Sequence, residues 1–150
     1  MAVVRTGGAF GAEIVVDGLG AVRNALYDID PALRRRFDRD LKKAIDTVAQ
    51  TAAREVDSRT GDTAAGYKVT RRGDTFKITN KTLGALILEF WNAPRCPQGE
   101  HLIATLNEKY GSPGRVLWGS WDAMNGWVLD QVRDIVDDAE FEIQKQLDAA

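Results

Sequence analysis

The sequence predicts an α+β domain in which two long amphipathic helices pack beside a small antiparallel sheet. Apolar residues recur every three or four positions over residues 31–57 and again from about residue 120 onward, whereas between Tyr67 and Ile78 they alternate with polar ones. With 150 residues, 44% of them hydrophobic and 28% charged, the chain is long enough for one domain with its own core and too apolar for a disordered one.

Residues 1–12, which include Gly7, Gly8 and Gly11, show no period and little apolar mass. They are expected to form a flexible arm, dispensable for folding, ahead of a single domain over residues 13–150. Ile14, Val15 and Val16 suggest a short strand, and Leu19, Val22, Leu26 and Ile29 then follow at helical spacing, placing a short helix over about residues 18–27. Asp30-Pro31 starts the second helix: an acceptor stands at the N-cap, and proline at the first helical position, where its missing N–H costs nothing. Leu33, Phe37, Leu41, Ile45, Val48, Ala52 and Val56 form its apolar stripe.

Tyr67 and Val69 before Gly73, with Phe76 and Ile78 after it, read as a β-hairpin with the glycine at its turn. Residues 83–91 fit a third strand or a short buried helix, and helix is the preferred reading. Residues 92–114 hold Pro94, Pro97 and Pro113 and read as a long irregular loop with one helical turn at 102–109. Loops of that length are commonly functional, so this one is expected to bind a partner and to be poorly ordered alone. Trp121, Met124, Val128, Val132, Ile135, Ala139, Ile143 and Leu147 define the last helix.

A net charge of −2 hides a segregation of sign. Residues 31–72 hold eleven basic and six acidic side chains and residues 120–150 two and eight, giving +5 and −6. Such segments suit complementary faces, within a subunit or between subunits, better than they suit a nucleic-acid binder with undiluted positive charge. Arg35, Arg39 and Lys42 on the basic helix and Asp130, Asp134 and Asp137 on the acidic one are the candidate interface charges. Trp91, Trp118, Leu102 and Ile103, in or beside the long loop, are the candidate apolar anchors, tryptophan being the residue most enriched in binding hot spots.

The longest apolar stretch is too short for a membrane span, a single cysteine excludes an intramolecular disulfide, and no signal-peptide pattern opens the chain. A reducing cytoplasm is the expected site of synthesis and assembly. Gly18-x-Gly20 lacks the third glycine of a dinucleotide fingerprint and reads as a strand-to-helix turn. Arg72-Gly73-Asp74 reads as a hairpin tip, and Asn80-Lys81-Thr82 is a sequon without meaning unless the chain is secreted. Cys96 and His101, with Glu100, form the one constellation that suggests chemistry. It falls short of a zinc ligand set and of an oriented nucleophile pair, so no metal, cofactor or catalytic residue is assigned.

The order of several short motifs is more informative. Val16-Asp17-Gly18-Leu19 opens the first helix, Ala52-Ala53-Arg54 ends the basic helix, and Arg59-Thr60-Gly61 precedes the hairpin that Thr79-Asn80 closes. Leu88-Glu89-Phe90 and then Trp121-Asp122-Ala123 follow. In this order they resemble the small neck proteins of long-tailed bacteriophages, which sit between the head-completion stopper and the tail terminator; Trp91 replaces the glycine usual after the Glu-Phe pair. The resemblance implies a non-enzymatic virion protein at the head–tail junction, forming a homo-oligomeric ring with six-fold symmetry as one option. Its partners would be the stopper and terminator rings, with DNA only passing through the channel. The competing reading is a small cytoplasmic enzyme or regulator built on Cys96 and His101.

Overall fold

The computed structural model describes residues 2–8, 11–56, 61–91 and 97–148. Strands β1 (Ala2–Gly8) and β2 (Gly11–Asp17) are followed by helices α1 (Gly20–Ile29), α2 (Pro31–Glu55) and α3 (Asp62–Ala65). Strands β3 (Lys68–Arg72) and β4 (Thr75–Asn80) form the expected hairpin, and α4 (Leu83–Phe90), α5 (Pro97–Tyr110) and α6 (Leu117–Asp148) complete the chain. The architecture is the α+β class read from the sequence.

The four strands form one antiparallel sheet in the order β1-β2-β4-β3. At its centre Ile14 lies opposite Ile78 and Val16 opposite Phe76, and all four side chains are fully buried. Because strand side chains alternate, Phe76, Ile78 and Asn80 point inward while Thr75, Lys77 and Thr79 are half-buried. Phe37, Leu41, Ile45 and Val48 of α2 join the same apolar cluster at 1% exposure or less. Each contributes about 1.5–3 kcal/mol by leaving water.

Asp30 caps α2 through its side chain, which accepts a hydrogen bond from the Ala32 amide at 2.7 Å, with Pro31 in the first turn. The last helix runs antiparallel to α2. Arg36 bonds Asp138 at 2.7 Å towards one end of the pair, and Ser120 Oγ donates to Glu55 Oε2 at 3.1 Å towards the other. The tripeptide Arg72-Gly73-Asp74 is the β3–β4 turn, with Gly73 at φ +60°. Gly18, at φ +89°, makes the turn from β2 into α1.

Two expectations need correction. Residues 2–8, read as part of an arm, form an edge strand paired with β2 from Ala2 opposite Asp17 to Gly8 opposite Gly11. Ladder hydrogen bonds join backbone groups that every residue type carries, so apolar periodicity gives little warning of them. The second concerns the loop: residues 97–110, expected as irregular chain with one helical turn, form a 14-residue helix. Pro97 is its first residue, where proline starts a helix rather than breaking one. Gly111, at φ +82°, ends it, its amide bonded to the Asn107 carbonyl at 2.9 Å.

Candidate interaction surfaces

A buried polar knot positions the surfaces at one end of the molecule. Glu89, on the inner side of α4, is fully buried. Its carboxylate accepts from Tyr67 Oη at 2.8 Å and from the amides of Val116 and Leu117, each at 2.9 Å. Those amides belong to the start of α6, whose first N–H groups have no partner inside the helix and whose positive end favours an anion. Glu89 thus caps a helix 27 residues further along the chain.

Arg115 closes the knot from the other side. Its guanidinium donates to the carbonyls of Leu88 at 2.8 Å and Trp91 at 3.1 Å, to Asn107 Oδ1 at 2.6 Å and to the Gly111 carbonyl at 3.0 Å. These bonds tie α4, α5 and the start of α6 together. Asn80 does the same for α3: its amide nitrogen donates to the Thr63 carbonyl at 2.7 Å, and its oxygen accepts from Thr82. The sequon residue is therefore buried and engaged.

Burial, reinforced by the carboxylate of Glu89, pushes the Tyr67 phenol well above its ordinary range. A tyrosine whose folded pKa exceeds the unfolded value of about 10 contributes stability that is complete below that pH and is lost as pH rises above it. Tyr67→Phe should therefore lower the melting temperature near neutral pH, because one bond to Glu89 is lost. It should also flatten the fall in melting temperature between about pH 10 and 11.5. Thermal melts of both proteins across that range check this; parallel curves would contradict it.

The knot turns the other side of α4 outward. Leu83, 73% exposed, with Leu86, Ile87, Phe90 and Trp91, lines an open apolar surface with no charged side chain in its lining. Phe90 meets Trp118 edge-on, ring centroids 5.5 Å apart. Trp91 and Trp118 are both half-buried, Trp91 beside this apolar surface and Trp118 between Phe90 and Gly114. Gly114 (φ +86°) is required there, since a Cβ would run into the Trp118 ring. Leu102 is exposed on α5, but Ile103 points inward and is buried, so it is not presented as an anchor.

The charged candidates divide similarly. The basic and acidic helices pack on each other within one subunit, joined by Arg36 and Asp138, which is one of the two arrangements that the charge pattern allows. Arg35, Arg39 and Lys42 all face solvent. Arg39 bonds Asp40 at 3.0 Å and Lys42 bonds Asp46 at 2.6 Å, both on the same helix. The bond from Arg39 is the main reason that the Asp40 carboxyl is held below its ordinary value. Asp130, Asp134 and Asp137 are also exposed.

Cys96 lies outside the described residues, while Glu100 and His101 are both exposed on the first turns of α5. Among the described residues no three metal-ligating side chains come together, and no helix is long and apolar enough to cross a membrane. No protein-family model, curated protein or solved structure matches the chain. The framework that sequence reasoning missed is Glu89 with Arg115 and Asn80. The signal available for Glu89 was one carboxylate in the apolar run of residues 83–91, where an uncapped charge would be strongly disfavoured.

Proposed function

We propose that the chain is a structural, non-enzymatic protein of the head–tail junction of a long-tailed bacteriophage, building an oligomeric ring that joins the head-completion stopper to the tail terminator and tube. The observation that carries this reading is that two of the motifs behind the neck-protein resemblance lie in the internal framework. Glu89 of Leu88-Glu89-Phe90 caps the helix that bears Trp121-Asp122-Ala123, and Asn80 of Thr79-Asn80 anchors the helix that follows Gly61. Weak motifs that support one another physically are better evidence for a shared fold than the same motifs scattered over a surface.

In this reading the protein works by binding alone. The apolar outer side of α4 and the exposed Leu102 of α5 serve the neighbouring rings, and DNA only traverses the channel. Quantitative mass spectrometry of gradient-purified phage particles tests it. The expected result is a fixed, small number of copies in each joined particle; recovery of the protein only from the soluble fraction of infected cells would overturn the reading.

A further inference from the structure

We infer that copies of this chain associate through the basic stripe of α2 on one copy and the acidic stripe of α6 on another. The inference rests on the proposed assembly and specifies its surface. Arg35, Arg39 and Lys42 stand at i, i+4 and i+7, which is one face of a helix, and Arg39 and Lys42 are 63% and 51% exposed. Asp130, Asp134 and Asp137 have the same spacing on α6, with Asp130 66% exposed.

Within the subunit these stripes find only near neighbours. Besides the pairs of Arg39 and Lys42 with Asp40 and Asp46, Asp130 bonds Arg133 and Asp134 accepts from Gln131. Among the described residues neither Arg35 nor Asp137 has an ion-pair partner. The packing of α2 on α6 uses the next positions round, Arg36 and Asp138, which leaves Arg35, Arg39, Lys42, Asp130 and Asp137 facing solvent, while Asp134 stands at the rim of the groove between the two helices.

The height of the stripes decides whether they can meet. The antiparallel pair has Arg36 level with Asp138 and Glu55 level with Ser120. On that register the basic stripe and the acidic stripe occupy the same stretch of the helix pair, offset by two or three residues, or about 4 Å at 1.5 Å per residue. That offset is within reach of an arginine or lysine side chain. Rotation about an axis parallel to the helices leaves every residue at its own height, so the stripes of adjacent copies meet without any rise. A heterologous contact without rise gives a ring only where its rotation divides a full turn, and one with a rise gives a filament. Asp46 and Arg133 weaken the match at the Lys42 end, so Arg35 and Arg39 against Asp134 and Asp137 form its centre.

Charge reversal tests this on the full chain. Sedimentation velocity at low ionic strength should show self-association of the wild type that weakens as salt rises, because exposed pairs are screened over about 8 Å at physiological salt. The triple variant R35E/R39E/K42E should stay folded, with a melting temperature lowered only slightly by the loss of the local pairs with Asp40 and Asp46, and associate at least about tenfold more weakly. The variant D130K/D134K/D137K should behave likewise, and an equimolar mixture of the two should associate, each supplying the stripe the other lacks. Should a triple variant fold poorly, the single reversals Arg35→Glu and Asp137→Lys carry the same comparison. Wild type that stays monomeric, a reversed chain that associates like wild type, single reversals that unfold the chain or a mixture without rescue each overturn the inference. If the protein is nevertheless present at fixed copy number in phage particles, only this surface assignment falls and the neck reading stands.

Discussion

Glu89→Ala is expected to lower stability by about 3–5 kcal/mol, the largest effect of any single substitution considered. Three donors converge on this carboxylate inside the protein: the Tyr67 hydroxyl and the Val116 and Leu117 amides. Alanine leaves all three without an acceptor in a site that excludes water, and the start of α6 loses its anion. Typical domains are stable by only about 5–15 kcal/mol, so much of that margin would disappear. Glu89→Gln keeps the shape and one acceptor oxygen but turns an amide group towards donors, and should fall between alanine and wild type. Urea unfolding of the three proteins measures this; a loss below about 1 kcal/mol for alanine would mean that the knot is not what holds α4 against α6.

Arg23→Met is expected to cost about 2–4 kcal/mol, because it strands the carboxylates arranged around a fully buried guanidinium. Arg23 pairs with both oxygens of Asp38 on α2, donates to the Gly73 carbonyl at 3.3 Å and pairs with Asp74 at the hairpin turn. Gly20 belongs to the same arrangement, since a Cβ there would press on the Asp74 carboxylate. Arg71, 2.8 Å from Asp38, compensates only in part. Adding Asp38→Asn should therefore recover part of the loss by removing the stranded charge, even though a second native contact goes with it. Additive losses in the double variant would show that Arg23 acts through packing rather than through its ion pairs.

These two residues mark where the sequence stops being legible. The stripe from Leu33 to Ala52 and the Asp30-Pro31 start foretold α2 closely, since period and cap are local signals. The alternation from Tyr67 to Ile78 foretold the hairpin, whereas over residues 83–91 helix was preferred although periodicity could not decide. What holds these elements together is non-local. Glu89 meets Leu117, and Arg23 meets Asp38 and Asp74, through the fold alone, and a buried carboxylate or guanidinium looks the same in sequence as an exposed one. The strand at residues 2–8 and the helix at 97–110 were obscured for opposite reasons: the first depends on backbone pairing, and the second begins at a proline that was read as a breaker. Among the candidate surface residues, Arg35, Arg39, Lys42 and the three aspartates of α6 were placed outward by periodicity. Ile103 was misplaced because only one turn of its helix was foreseen.

Removal of the gene from the phage, followed by electron microscopy of the lysate, tests the head–tail assignment most directly. The expected result is DNA-filled heads and finished tails lying apart, which join into infectious particles when the purified protein is added back. Normal joined virions in its absence, or separate heads and tails that the added protein fails to connect, would contradict it.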